Sequence, residues 1–504
     1  MKNGKWLYLI VLVVLILTLA TCYALAAKRE PPTKITMALR SNANRYVEKS
    51  PDINNDIYVK ELERLFNVDL DITLTPHNAF PQKVALILAS GDIPDILHGG
   101  EVYQNYMDAA VRAGVFLPLD GLLKKHGKNL LKNVPKAAWD EGTDPVTGKI
   151  VAIPEYLSIT ARRTSIIRKD LLEKHKLDVP KTVDDYYKVL KKFKEGGLKY
   201  PFAGREKFKY SEEFFGAYNA LPNTWLLNSK KEVVPAYIMP QMKDALAYYR
   251  KLYAEGLMDA ESFTNNSTTR LNKMYNGDVG IAMLNINEIP TTNLQLKAKV
   301  PGAEYMLTAC PTGPDGKGGS HAYSPVVRSY YISAKTKQPE KVMQFMDKFQ
   351  DPKYKDFLTY GFEGKFYTKQ NSKINFTYPT DPAGDEEIKV LIWLPLVQDS
   401  SAKWEWLPTQ VGGKEVANFY QKVAPKNVRH YIYPVNLKSL EAHPELRVDE
   451  DQQQFFYQFA TRVVMGTEPL ENFDKFVQEY LDRGGREIIK EATEQYNKGK
   501  AKMR

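Results

Sequence analysis

The chain has 504 residues, 43% hydrophobic and 26% charged, a composition that excludes an intrinsically disordered chain and a polytopic membrane protein. That length exceeds a single core of roughly 100 to 200 residues, so two lobes are expected. The net charge of +10 is spread along the chain, and its densest set, "KVLKKFKEGGLK" at 188–199, reads as the solvated end of a helix. Tyr and Phe are scattered and form no RNA-binding motif, so no nucleic-acid partner is expected.

In chain order the first feature is a leader. Lys2 and Lys5 precede the apolar run Trp6 to Leu17, and the first acidic residue is Glu30, the pattern of an export signal. Leu19-Ala20-Thr21-Cys22 resembles the bacterial lipobox, which implies cleavage before Cys22 and acylation of its sulfur and new amino terminus. Two alternatives stand beside it. Cleavage after Ala24-Leu25-Ala26 would free the protein, and an uncleaved Trp6 to Ala27 is long enough to span a bilayer of roughly 20 apolar residues. The other cysteine, Cys310, then has no partner, and no disulfide framework is expected.

"KITMAL" at 34–39 alternates as a strand does. Residues 55–66 place Tyr58, Leu62, Leu65 and Phe66 on one helical face, and Val68, Leu70, Ile72 and Leu74 alternate again. Strand, helix, strand predicts a right-handed βαβ unit in a parallel sheet. A helix over Gln82 to Ala89, ended by Gly91, and a short strand at 94–97 follow, so the first lobe is α/β. Later helices are expected over 245–255, stopped by Gly256, and from Pro339 through Phe349. Three more follow Asp449, punctuated by "MGTEP" at 465–469 and Gly484-Gly485, while 350–450 is loop-rich.

A catalytic signature is not found. His77, His98, His126, His175, His321, His430 and His443 form no close metal-ligand spacing. There is no G-x-S-x-G elbow or Walker loop, and "GPDGKGG" at 313–319 reads as a turn. Cys310 reads as a buried thiol. No cofactor and no metal are expected, although carboxylate pairs distant in sequence stay open.

Several stretches, taken in order, resemble the extracellular solute-binding proteins of bacterial ABC importers, in the branch of oligosaccharide-binding lipoproteins. They are "LASGDIPDIL" (88–97), "GVFLPLDGLLKKHG" (114–127), "GKIVAIPE" (148–155), "IIRKDLLEKHKLDVPKTVDDY" (166–186), "LYAEGLMDAESF" (252–263), "MYNGDVGIAM" (274–283) and "RVVMGTEPLENFDKF" (462–476). The resemblance implies a two-lobed, type II periplasmic-binding-protein-like α/β fold with a hinge. Its expected division is a signal peptide over 1–21, a lipidated tether over 22–33, a first lobe from 34–155 and 326–370, and a second from 156–325 and 371–504. It further implies a monomer, moored to the extracellular face of the membrane by lipid on Cys22, that captures a solute and delivers it to an ABC permease. The solute expected is an oligosaccharide. A peptide cargo of the same transporter class, a tethered polysaccharide-degrading enzyme and a structural or sensory surface protein are the alternatives.

Ligands of α/β sheets bind at the carboxyl ends of strands, which nominates Arg40 and Asn42 after the first strand and His98 at the end of "PDIL". The same rule nominates Asn285 and Asn287 after "GDVGIAM", where maltose binders instead carry a tryptophan. "NALPNTW" (219–225) resembles the segment that presents a stacking tryptophan in related saccharide binders, giving Trp225. "SSAKWEW" (400–406) adds Trp404 and Trp406 from the loop-rich middle. Aromatic faces suit sugar C–H surfaces, and paired side-chain donors and acceptors suit hydroxyls.

Overall fold

The computed structural model describes residues 31–100, 105–435, 437–448, 454–499 and 501–503. Strands β1 (Thr33–Arg40) and β2 (Val68–Thr75) flank the helix Ile57–Phe66, the strand–helix–strand unit expected from the alternating runs. The Asp56 side chain accepts the N–H of Tyr58 to cap the helix, and Asn67, left-handed at φ 52, ends it. Tyr58, Val59, Leu62 and Phe66 are its buried face. β1 and β2 run parallel, from Thr33 opposite Val68 to Arg40 opposite Thr75. The helix Phe80–Ser90 then stops at Gly91, φ 69, where a left-handed residue is required. β3 (Ile96–Gly100) is buried along its whole length, and β4 (Ile153–Tyr156) completes this pass.

The chain next builds a second lobe from β5 (Arg163–Arg168), β6 (Tyr200–Phe202), β7 (Trp225–Leu227), β8 (Val233–Pro235), β9 (Val279–Asn285) and β10 (Tyr305–Thr308). Its main sheet has the order β10-β5-β9-β6. Because β5 is antiparallel to β9 and β10, the start of β5 lies at the edge where its neighbours end. A Thr182–Asp185 capping box starts the helix Val183–Glu195, and the helix Pro240–Ala254 packs beside it through Tyr248, Tyr249 and Leu252. β11 (Val326–Ile332) then returns to the first sheet, antiparallel between β3 and β4, which gives the order β2-β1-β3-β11-β4. The helix Pro339–Lys348 follows, burying Val342, Phe345 and Met346. β12 (Ile432–Tyr433) and β13 (Lys502–Met503) join β7 and β8 in a small second-lobe sheet. The helices Gln454–Met465, Phe473–Tyr480 and Arg486–Asn497 cover that lobe, with a break at Gly484, φ 113.

Three segments cross between the lobes and lie side by side. The Tyr156 N–H donates to the Gln398 carbonyl (3.1 Å) and the Ser400 N–H to the Tyr156 carbonyl (2.7 Å). Leu157 N–H donates to Pro325 (2.9 Å), and Tyr323 N–H to Thr160 (3.0 Å). Asp399 holds Ser158 through its N–H (3.1 Å) and its hydroxyl. Under this ribbon sits Glu155, fully buried. It accepts two 2.6 Å contacts from Arg328 Nη1 and further hydrogen bonds from Ser400 and Gln398, so one carboxylate ties β4, β11 and the third crossing together.

That third crossing corrects the expected division. The expectation places residues 371–504 in the second lobe, but Tyr378, Ile388, Leu391, Trp393, Leu396, Val397 and Trp406 pack in the first lobe's core with Tyr58, Phe66 and Phe345. Short helices and loops carry these side chains, so no long hydrophobic period marks which core they enter.

Candidate ligand-binding cleft

β4 is parallel to β3, because each is antiparallel to β11. Its carboxyl end therefore shares an edge with Arg40, Thr75 and Gly100, and the first crossing leaves from that edge to enter β5 at Arg163. The carboxyl-end edge of the first lobe and the β5-start edge of the second thus adjoin the hinge and are the two walls of the candidate cleft.

On the first edge the Arg40 N–H donates to His98 Nδ1 at 3.2 Å, and the Arg40 carbonyl accepts from Trp393 Nε1 at 2.8 Å. The guanidinium reaches the His77 carbonyl at 3.1 Å and lies 4.9 Å from the centre of the Phe80 ring. His98 is 1% exposed, between Phe80 and Tyr330 at 5.0 and 5.1 Å. Burial first, then the cations Arg328 and Arg40, push its pKa well below the usual histidine value. A neutral ring whose Nδ1 accepts must carry its proton on Nε2. That Nε2–H is buried and meets no hydrogen-bond partner among the described residues. Asn42 is half-buried and left-handed at φ 57, on the turn that leaves β1.

The second edge is rich in cations that no motif of the sequence marks. Arg163 opens β5 opposite Asn285, the last residue of β9. The ring of Tyr210 has the Arg163 guanidinium 4.0 Å from its centre and that of Arg270 at 4.3 Å, with Arg205 at 5.6 Å. Tyr210 also accepts from Asn285 Nδ2 at 3.3 Å, and that amide donates to Glu288 at 2.7 Å. Arg163 pairs with Glu212, and Arg205 with Glu206 at 2.7 Å. Arg270 differs: it is 1% exposed, donates to the Met283 carbonyl at 3.0 Å, and has no carboxylate in salt-bridge range among the described residues. Burial lowers its pKa. Nearby, Tyr323 lies 5.2 Å from the Arg163 guanidinium and 5.9 Å from that of Arg162, and burial holds the Glu213 carboxyl well above the usual carboxylate range. Asn287 is half-buried, and its Oδ1 meets no hydrogen-bond partner among the described residues.

Arg40, Asn42, His98, Asn285 and Asn287 therefore stand on the edges where the carboxyl-end rule put them. Two tryptophans do not. Trp225 is 5% exposed within β7 and belongs to the second lobe's core, and Trp406 is 2% exposed in the first, its Nε1 donating to the Thr359 carbonyl at 2.8 Å. Neither offers a free face to a sugar, because each indole is packed inside its own lobe. Trp404 stays half-buried beside the third crossing, edge-on to Tyr420 at 5.6 Å. Cys22 lies outside the described residues. Among those residues no three His, Cys, Asp or Glu side chains converge as a metal site.

Sequence reasoning missed Arg162, Arg163, Arg270, Tyr210, Tyr323 and Trp393. The one available signal was "ARRTSII" at 161–167, a pair of arginines where a crossing meets a strand. A family model described as the bacterial extracellular solute-binding protein matches residues 55–356. The polygalacturonan/rhamnogalacturonan-binding protein YtcQ of Bacillus subtilis is 25% identical over 99% of this chain and 100% of its own. The fructooligosaccharide ABC transporter substrate-binding protein FusA of Streptococcus pneumoniae is 27% identical over 46% of each chain. The FusA structure in complex with kestose superposes with a TM-score of 0.70 at 18% identity, covering 92% of this chain and 99% of that one. The alginate-binding protein AlgQ2, crystallised without calcium ion, superposes with a TM-score of 0.73 at 22% identity, covering 93% of this chain and 99% of that one. The fold is theirs, two α/β lobes on a hinge, and the chain belongs to the family of bacterial extracellular solute-binding proteins.

Proposed function

We propose that this chain captures an acidic oligosaccharide between its lobes, without altering it, and delivers it to an ABC permease. The observation that carries the acidic preference is Arg270, a buried guanidinium with no carboxylate partner among the described residues, stacked with Arg163 on Tyr210. A buried unpaired cation is costly to fold around, and a ligand carboxylate is the partner that offsets the cost. The name of the full-length relative, a binder of polygalacturonan, supports the same chemistry. On the facing edge, the neutral His98 Nε2–H and the amide of Asn42 are donors suited to ring hydroxyls. Ligand that contacts both edges draws the hinge shut.

Charge-assisted hydrogen bonds of about 1.5–3 kcal/mol each make a preference of about 10- to 100-fold for a uronate oligomer over a neutral one of equal length. Calorimetry with trigalacturonate and with a neutral trisaccharide tests this directly. Equal affinity for both removes the acidic preference, and hydrolysis or elimination products after incubation would make the chain an enzyme instead. Lipid on Cys22 belongs to the same reading, supported by the Leu19-Ala20-Thr21-Cys22 stretch. Mass spectrometry of the mature amino terminus checks it, and an unmodified residue 27 there would mean free secretion.

A further inference from the structure

We infer that the last strand of the chain carries an ionic latch that holds the two lobes together: Lys502 of the second lobe on Glu141 of the first, seconded by Arg112 on Glu441. The inference rests on the two-lobed capture proposed above but concerns residues that belong to neither cleft edge nor crossing segment. β13 pairs with β12, Met503 opposite Ile432 and Lys502 opposite Tyr433, so this strand is built into the second lobe. From there Lys502 Nζ crosses to Glu141 Oε2 at 3.1 Å and to the Asp140 carbonyl at 3.4 Å. Glu141 ends the helix Lys136–Glu141, whose Ala138 and Trp139 belong to the first lobe's core. Its side chain is 9% exposed and that of Lys502 30%, so the carboxylate is shielded while the ammonium reaches solvent, where salt screens the pair.

Beside it, Arg112 of the helix Asn105–Arg112 stands 2.8 Å from Asp108 on its own helix and 3.7 Å from Glu441, which lies in the second lobe's helix Ser439–Ala442. Both contacts link one lobe to the other, so they exist only while the lobes are together. A group that binds one of two states shifts the equilibrium toward it by its differential free energy. Pairs of this kind shift the closed-to-open ratio about 2- to 5-fold, and the same factor slows release of a trapped ligand.

The test uses the full chain lacking only residues 1–22, in small-angle scattering without ligand at low and high salt. Lys502→Glu and Glu141→Gln should each raise the radius of gyration at low salt, as 0.5 M salt should in the parent protein. The exchanged pair Lys502→Glu with Glu141→Lys should restore the compact value. Glu141→Gln leaves β13 untouched, so expansion in Lys502→Glu alone would mean loss of the strand and would overturn the latch. Unchanged dimensions in both variants would overturn it as well. With trigalacturonate as probe, both variants should release ligand 2- to 5-fold faster at an unchanged association rate. The scattering arm needs no ligand, so the latch can fail while the cargo assignment stands, and the reverse.

Discussion

Arg163 and Asn285 are cross-strand partners, the first residue of β5 opposite the last of β9, so a cation set down by a crossing segment stands beside an amide at the end of a buried strand. Tyr210 joins them, accepting from Asn285, with the Arg163 guanidinium 4.0 Å and that of Arg270 4.3 Å from the centre of its ring. Stability and binding should pull in opposite directions here. Arg270→Met removes a buried charge that has no carboxylate partner among the described residues, and with it the desolvation cost of that charge. The melting temperature should hold or rise, while affinity for trigalacturonate falls about 10- to 100-fold, the worth of one charge-assisted contact. Calorimetry and thermal unfolding on the same sample read the two effects.

The tryptophans make the converse prediction. Trp225 and Trp406 are 5% and 2% exposed in separate cores, and truncating a buried aromatic costs about 3–5 kcal/mol through lost burial and the cavity left behind. Trp225→Ala should lower the unfolding free energy measured in urea by that amount and leave the affinity of the folded fraction unchanged. A tenfold loss of affinity with stability intact would return Trp225 to the site.

How far the sequence reached follows from what each signal encodes. Periodicity and capping are local, so the unit from β1 to β2 and the glycine stop at Gly91 were legible. The carboxyl-end rule then converts a strand end into a position on a sheet edge, which is why the edge positions of Arg40, His98 and Asn285 were legible. Whether a tryptophan is core or platform is settled by contacts distant in sequence: Trp406 packs against Phe376 and Tyr378 and donates to Thr359. Tyr210 was hidden for another reason. It sits in a loop at φ 56, where no period points a side chain anywhere, and only the fold brings Arg163 and Arg270 to its ring.

The hinge acid gives a third prediction. Glu155 is fully buried and is the carboxylate partner of Arg328, while also accepting from Ser400 and Gln398. Glu155→Gln keeps the shape but leaves the Arg328 guanidinium buried without a counter-charge. Breaking one side of such a pair costs about 3–5 kcal/mol, which urea unfolding would register. Because the same oxygens clamp the third crossing, ligand-driven closure should also become less complete. A variant as stable as the parent, with the same change in radius of gyration on ligand addition, would show that the crossings are held by their backbone hydrogen bonds alone.

His98 supplies the pH dependence. In the folded chain its pKa lies well below the ordinary value, burial first and then Arg328 and Arg40 being the cause, whereas in the unfolded chain it titrates near 6.5. Below about pH 6.5 the unfolded chain therefore binds a proton that the folded chain refuses, and stability falls with pH. The contribution is complete above that pH and is lost progressively as the solution is acidified toward the folded pKa. His98→Asn retains an acceptor in the place of Nδ1 for the Arg40 N–H and removes the titrating ring. Its urea midpoint should drop less between pH 7.5 and pH 5 than that of the parent, although it starts lower for want of the packing against Phe80 and Tyr330. Parallel pH profiles for the two proteins would mean that His98 titrates alike in the folded and unfolded chains, and the neutral Nε2 donor assigned to the first edge would go with it.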